Sequence, residues 1–437
     1  MARFPEPGRV KTRLAEDIGP EGAAALYRDL AAWCVRRMRA VDAAGHAALE
    51  VRVDGGTLAQ VRDWLGGGFS VRPQHDGDFA TRLARAAREA LTQGAPAVVL
   101  VGSDCPNLGG VHIRQALGLL AEADVAFGPA TDGGYYLVAM RAQVAGIAIP
   151  TLFSRQIPWG EAEVLSATVD SAEKAGLLVA RIDPLADVDR TEDVAVWDTV
   201  LAQRDRAREN PRVSAVVPTL NEESDVVRAI ESARAAGVHE VLVADGGSTD
   251  STIPRAEAAG ALVVRAPRGR ASQMNAGAAI AAGDAIVFLH ADTILPNTAL
   301  ADIRRALQDD SVAAGAFRYS AGDPRDATDR LITLVGGLRY ALFGLPYGDQ
   351  ALFVRRRDFE DLGGFPDIPT MEDYEFATRV ARLGRIATAT SEVHTSTRAW
   401  RNHGLVRTTL TNMAVIAGYR AGIPAERLAA WRRPIAR

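Results

Sequence analysis

The sequence predicts an α/β chain of two tandem Rossmann-like domains, each a mostly parallel sheet flanked by helices. Three observations carry this. The chain has 437 residues, more than one ordinary core absorbs. Its composition, 48% hydrophobic and 24% charged, is that of a folded globular protein and removes disorder from consideration. Both halves alternate short β-branched runs with Ala-rich helical stretches, the pattern of parallel βαβ units.

The elements follow in order. In the first half, residues 97–101 and 125–127 read as buried strands and 137–140 as a weaker third. In the second half, residues 213–217, 241–244, 262–264 and 286–289 form a regular series, with helices over 224–236 and 272–282 between them. The boundary is expected within 202–211, where the charged segment Gln203-Arg-Asp-Arg-Ala-Arg-Glu-Asn210 ends at a proline. Asn-Pro stops a helix, because the proline ring disfavours the α conformation of the residue before it. The domains are accordingly taken as 1–203 and 211–437. No short-period repeat is present; the halves resemble each other in architecture only.

A net charge of -4 gives no whole-protein attraction for nucleic acid or anionic lipid, although Arg355, Arg356 and Arg357 form a local cluster suited to phosphate. The two cysteines, Cys34 and Cys105, are too few for a disulfide framework or a Cys-rich zinc site and suit a reducing cytoplasm. The first eleven residues lack the apolar core of a signal peptide. No run reaches the ~18 apolar residues of a spanning helix. The nearest candidate, residues 331–347, is interrupted by Arg339 and three glycines, so membrane contact is expected to be peripheral at most, at the inner face.

In an open α/β sheet, ligands bind beyond the carboxyl ends of the strands. The polar residues of the second half stand there. The first strand runs into Val217-Pro-Thr-Leu-Asn-Glu-Glu223, the second into Asp245-Gly-Gly-Ser-Thr-Asp250, and the fourth into His290-Ala-Asp-Thr293. Such loops offer backbone N–H groups and small side chains to a nucleotide. Asp245, Asp250 and Glu222 also suit helix capping and the helix dipole.

These motifs, with Met371-Glu-Asp-Tyr374, occur in the order and spacing of family 2 glycosyltransferases, and residues 212–404 resemble that family. Gly348-Asp-Gln350 and Arg268-Gly-Arg-Ala-Ser-Gln-Met-Asn-Ala-Gly277 look closest to its arsenosugar-biosynthesis and radical-SAM/selenodomain-associated branch. The resemblance implies a GT-A fold and inverting transfer from a nucleoside-diphosphate sugar to a small-molecule or lipid acceptor. It implies that Pro218, Thr219, Asn221, Glu222, Asp245 and Ser248 hold the nucleoside, with Asp245 on a uracil-like base edge. Arg270 and Arg398 join the donor site, and Asp292 takes the metal position of the Asp-x-Asp motif. A divalent ion stabilises a departing diphosphate without a proton donor. His290 stands where the first aspartate often is, which suits Mn²⁺ better than an all-oxygen site would, and the divalent ion is expected to be Mn²⁺ or Mg²⁺. By the same resemblance Asp373 is the general base and Glu372 supports it; an inverting transfer needs such a base opposite the leaving group. Trp400 is expected to stack on a sugar.

In the first half, Pro7-Gly-Arg-Val-Lys-Thr-Arg13 combines a flexible glycine with three cations and a hydroxyl, a composition suited to a di- or triphosphate. No strand is legible before it. Asp104 follows the run 97–101, and Asp132 stands beside two glycines in Thr131-Asp-Gly-Gly-Tyr-Tyr136. With Asp187-Val-Asp189 and Glu192-Asp193, these motifs resemble an uncharacterised family related to the guanylyltransferases that activate 2-phospholactate. The resemblance implies a nucleotidyltransferase-like fold, with Gly8, Arg9, Lys11, Arg13, Asp104 and Asp132 around a nucleotide and Asp104 as a metal ligand. A non-catalytic nucleotide- or sugar-binding module is the alternative for this half. A dinucleotide-dependent oxidoreductase is excluded, because Pro-Thr-Leu-Asn-Glu stands where Gly-x-Gly-x-x-Gly is required.

Overall fold

The computed structural model describes residues 1–322, 325–334, 345–346, 348–398, 401 and 404–432. It divides into two compact units, Met1–Ala202 and Gln203–Arg437. The helix Val194–Glu209 runs through the junction.

The first unit contains two sheets. Strands β1 (Ala2–Arg3), β2 (Glu50–Asp54) and β3 (Ser70–Pro73) form a small parallel sheet. A second sheet has the order β4 (Ala97–Val101), β6 (Tyr135–Arg141), β5 (Val125–Pro129), β7 (Val179–Arg181). Strand β6 pairs antiparallel with both neighbours, and β7 is parallel to β5. One expectation is corrected here: a strand does precede the basic loop. Ala2 and Arg3 pair with Val53 and Asp54, and the Met1 ammonium donates to the Val101 carbonyl at 2.9 Å. Two residues carry no periodicity, and their partners lie some fifty positions downstream, so local pattern reading misses them.

The second unit is built on one eight-stranded sheet. Its strands are β8 (Val213–Thr219), β9 (Glu240–Asp245), β10 (Leu262–Arg265), β11 (Ala285–Phe288), β12 (Thr293–Ile294), β13 (Val312–Ala321), β14 (Phe353–Arg355) and β15 (Arg385–Thr395). The order is β10-β9-β8-β11-β14-β13-β15-β12. The first four strands are mutually parallel. Beyond β11 the sheet is mixed, with β14 antiparallel to both β11 and β13. The chain leaves β8 in one direction through β9 and β10, then returns to place β11 on its other side. That reversal is the topological switch point, where a crevice opens beyond the strand ends.

Burial follows from this position. Ala215, Val216 and Val217 of β8 are all fully buried, as both faces of a parallel strand covered by helices must be. Gly277 lets the helix Arg270–Ile280 lie close on β8, because a Cβ there would come within 2.5 Å of Val216 Cγ1.

The phosphate reading of the Arg355–Arg357 cluster is also corrected. Arg355 donates to the carbonyls of Val312 and Leu307, each at 2.6 Å. Arg356 donates to Gly283 O at 2.8 Å and pairs with Glu360, and Arg357 bonds Gln203. The first two guanidiniums satisfy backbone carbonyls and the third a side-chain amide, which three consecutive arginines in a sequence do not reveal. Most of the apolar stretch 331–347, and Trp400, lie outside the described residues. No helix among the described residues is long and apolar enough to cross a membrane.

Candidate functional site

At the carboxyl edge of β8 and β9, two loops are laced together. Asn221 adopts a left-handed backbone, φ 56°. Its N–H donates to Ser248 Oγ at 2.8 Å, and its side-chain oxygen accepts from Thr249 N at 2.8 Å. Glu222 N donates to Thr252 Oγ1 at 2.8 Å. Asp245 is buried and points into its own loop. One carboxylate oxygen accepts from the N–H groups of Gly247 and Ser248, at 2.8 and 2.9 Å. The other accepts from Ser248 Oγ and, at 3.2 Å, from Thr219 Oγ1. Two oxygens with four donors are fully satisfied, so in this structure Asp245, Asn221 and Ser248 shape the crevice wall. Pro218 lies beside Ala244 in the register of β8 and β9. From behind, the buried Gln273 amide donates to Thr219 O at 2.6 Å and Ala244 O at 3.0 Å. Part of the Arg268–Gly277 motif is thereby explained as a clamp on the two strand ends. Asn275, which bonds both N–H and C=O of Phe365, explains more.

Along the floor of the crevice the charges alternate. Arg398 donates from Nη2 to both carboxylate oxygens of Glu222, at 2.9 and 3.2 Å, and from Nη1 to Asp225 at 3.4 Å. Arg270 pairs with the buried Glu372 at 3.2 Å. Asp292 stands near both arginines, since each feels its charge. Yet neither arginine forms an ion pair with it among the described residues. Its carboxylate has its own amide and Thr293 Oγ1 at 3.5 Å. Burial first, and then the charge of Glu222, push its pKa up to about 6. Burial and a neighbouring like charge both disfavour the ionised form of a carboxylate.

Glu372 and Asp373 open the helix Glu372–Leu383, following Met371 in a left-handed conformation. Their environments separate them. Burial raises the pKa of Glu372 against the opposing charge of Arg270. Burial also acts on Asp373, but Arg270 and the N–H groups of Gly348 and Tyr374 outweigh it and hold the pKa low. Gly348 N donates to Asp373 Oδ2 at 2.7 Å and Tyr374 N to Oδ1 at 2.8 Å. His290 faces the same place. A Cβ on Gly348 would lie 2.9 Å from His290 Nε2 and 3.1 Å from Asp373 Oδ2. Burial, reinforced by Arg270, lowers the imidazole pKa to about 4.

In the first unit, Lys11 stands at the start of the helix Thr12–Ala43 with a left-handed backbone, φ 46°. Its ammonium, 7% exposed, is 3.0 Å from Asp104 and 3.6 Å from Asp189. Burial works against that charge, but the surrounding acids outweigh it and hold the lysine pKa above its ordinary value. Arg13 pairs with Asp189 at 2.8 Å. Arg9, after Gly8 with its positive φ, pairs with Glu6 on the surface instead. Asp132 accepts from Gly134 N at 2.9 Å, and its charge and that of Asp104 are felt at Asp187. Burial and these two acids raise the Asp187 pKa to about 6. Lys11, Arg13, Asp104 and Asp132 therefore converge on one acidic edge, while Arg9 is drawn away.

Among the described residues no group of three or more histidine, cysteine or carboxylate side chains is arranged to hold a metal ion by itself. At Asp104 the adjacent cation is Lys11. Sequence reasoning missed Asp225 and Asp189 as members of these sites. Asp225 lies three residues beyond Glu222, just before the helix Val226–Ala235, and Asp189 meets Arg13 from 176 positions away. Gly348 was recognised as a motif residue without its role of admitting His290 beside Asp373.

A parallel four-strand array around β8, with carboxylates and arginines near the switch point, is the architecture of the GT-A type. Residues 214–363 match the family model for glycosyl transferase family 2. Residues 37–161 match the family described as an uncharacterized protein conserved in bacteria, DUF2064. The second unit is thus similar to glycosyl transferase family 2 and the first to the DUF2064 family. Solved structures similar to it include a nucleotide-diphospho-sugar transferase from Desulfovibrio desulfuricans G20, 32% identical, covering 46% of this chain and 92% of that one at a TM-score of 0.40. Glucosyl-3-phosphoglycerate synthase from Mycobacterium tuberculosis, solved with Mn²⁺, UDP and phosphoglyceric acid, is 23% identical over 51% of this chain and 83% of its own, TM-score 0.38. S. aureus TarS in complex with UDP-GlcNAc is 18% identical over 42% and 58%, TM-score 0.34. Comparison with curated proteins finds no match.

Proposed function

We propose that the second unit transfers a sugar from a nucleoside-diphosphate donor to an acceptor hydroxyl with inversion at the anomeric carbon. The observation that carries this is Asp292: a half-buried carboxylate at the end of the parallel array, near two arginines that are both engaged by other acids. The local surplus of negative charge, from Glu222, Asp225 and Asp292 against Arg398 and Arg228, fits a divalent cation, and Asp292 would be the residue to hold Mn²⁺ or Mg²⁺. When bound, such an ion neutralises the departing diphosphate. Pro218, Thr219 and Glu222 line the nucleoside side of the crevice. Arg398 and Arg270 flank the diphosphate, each kept cationic by a paired acid. Asp373, ionised and oriented by two backbone N–H groups, removes the acceptor proton as the acceptor oxygen bonds to the anomeric carbon and the diphosphate leaves with the electron pair.

For the first unit, the convergence of Lys11, Arg13, Asp104 and Asp132 supports binding or transfer of a nucleotide. The close Lys11–Asp104 pair equally favours a non-catalytic nucleotide- or sugar-binding module. A lipid acceptor is favoured by one face of the helix Leu405–Arg420, where Val406 and Leu410 are 69% and 61% exposed. In that reading the protein works in the cytoplasm at the inner face of a membrane.

Calorimetry and thermal shift with UDP, GDP and their sugars, with and without Mn²⁺, test the donor site on the intact chain. A metal-dependent shift that Asp292→Ala removes is the expected result. Absence of any shift in folded protein would reject the transferase reading, and pelleting with anionic vesicles separates a lipid acceptor from a small one.

A further inference from the structure

The family motif places a histidine where an aspartate usually precedes the metal-binding acid, and the simplest expectation is that this histidine joins the metal. The geometry points elsewhere. The Nε2 atom of His290 is buried and makes no hydrogen bond among the described residues. A buried imidazole nitrogen without a partner costs roughly 1–3 kcal/mol, so its retention calls for a ligand. That atom and Asp373 Oδ2 both face Gly348, where an added Cβ would meet them at 2.9 and 3.1 Å, so that glycine is what lets the two groups approach. Gly348 N fixes Oδ2 from one side at 2.7 Å, which leaves the carboxylate oxygen one further acceptor position.

We propose that His290 Nε2 and Asp373 Oδ2 together form the subsite for the acceptor hydroxyl, and that His290 is an acceptor-contacting residue rather than a metal ligand. The inference rests on Asp373 being the base. A hydroxyl has one proton and two lone pairs. In this subsite it gives the proton toward Asp373 Oδ2 and accepts a hydrogen bond from Nε2–H. One lone pair then remains, and the two contacts aim it at the anomeric carbon. During transfer that pair forms the new C–O bond, the bond to the diphosphate breaks with its electrons, and the proton passes to Asp373. His290 ends with the proton it began with. The ligand class is an alcohol, whether a sugar, a polyol, a lipid alcohol or water. A carboxylate acceptor is disfavoured by Glu372 and Asp373 alongside.

The role has consequences that a metal ligand would not share. The experiment uses the intact chain with Mn²⁺ and UDP for binding, and slow hydrolysis of UDP-glucose, with water as acceptor, for turnover. His290→Ala is expected to leave Mn²⁺-dependent UDP binding within about twofold of the parent, and to lower hydrolysis kcat at least tenfold with donor KM unchanged. His290→Gln, which restores an N–H donor, is expected to recover part of kcat. Pulsed electron paramagnetic resonance of the Mn²⁺·UDP complex is expected to show no directly coordinated nitrogen. A nitrogen coupling that His290→Ala removes, or a tenfold loss of Mn²⁺ affinity in that variant, would overturn the proposal. Unchanged hydrolysis in both variants would overturn it equally. Asp373→Asn separates the two readings: if it leaves hydrolysis intact, the base assignment itself fails, whatever His290 does. If neither UDP nor Mn²⁺ binds the parent, the transferase reading fails first.

Discussion

Each unit presents an acidic edge with cations beside it, but the two are wired differently. In the first, Lys11 is buried at the centre and shared between Asp104 and Asp189, so the cation and its acids satisfy one another. In the second, Arg398 and Arg270 are drawn outward to Glu222 and Glu372, leaving Asp292 between them with its pKa raised to about 6. A carboxylate with an internal cation contributes to the fold. One without is held in a state that a ligand relieves. The contrast teaches that counting acids in a cluster says little about metal binding until the partner of each acid is known.

The largest expected effect breaks the chemistry of the second unit alone. Asp373→Asn should lower transfer by about 10²–10⁴-fold, with nucleotide binding near that of the parent, as steady-state kinetics and calorimetry would report. Loss of only a few-fold would mean that another group accepts the proton.

Next is the comparison of stabilities. Asp104→Ala leaves the buried Lys11 ammonium short of its nearest partner and should destabilise the protein by about 2 kcal/mol in denaturant titration. Asp292→Asn should do the opposite without metal, raising the thermal midpoint at neutral pH, because it removes a charge that the fold disfavours. The sign follows from linkage. The folded-state pKa of Asp292 lies above its ordinary value of 3.8. Between roughly pH 4 and 6, then, the native state holds a proton that the unfolded chain has released. Its contribution to stability falls as pH rises through that window and stays lost above it. If the two variants shift stability in the same direction, the contrast between the edges is wrong.

A smaller effect concerns the ligand. Metal-dependent nucleotide affinity should rise by about tenfold from pH 5 to pH 7 and level off, as Asp292 ionises. Asp292→Asn should flatten that profile. Smallest of all, Gly348→Ala should leave the fold intact but lower kcat several-fold, because the added Cβ would press on both His290 Nε2 and Asp373 Oδ2. A variant with parental kinetics would show that the space over Gly348 is unused.

Much of this was legible in the sequence where the information is local. The strands of the second half occur at the expected places, because runs such as Val213–Thr219 and Glu240–Asp245 are bounded by the loops that carry the polar motifs. The first unit was less legible. Strand β1 has two residues, and the antiparallel insertion of β6 between β4 and β5 is a matter of pairing that no local pattern encodes. The arginine triplet misled because a guanidinium has the same sequence signature whether it meets a phosphate or a backbone carbonyl.

What the sequence determined by itself is the set of chemical groups and the edge on which they stand: acids, amides and hydroxyls in the loops that follow parallel strands, in the order of a known transferase family. Period and turn chemistry are short-range properties, so they survive in a one-dimensional reading. Only the tertiary structure decided which charge meets which. Lys11 and Asp104 are 93 positions apart, and Arg398 and Glu222 are 176 apart. Electrostatic pairing depends on distance through space and on desolvation, and both are set when β8, β9 and β11 come side by side. The same event turns Asp245 into a loop lock, leaves Asp292 without an ion pair among the described residues, and brings His290 and Asp373 together at Gly348.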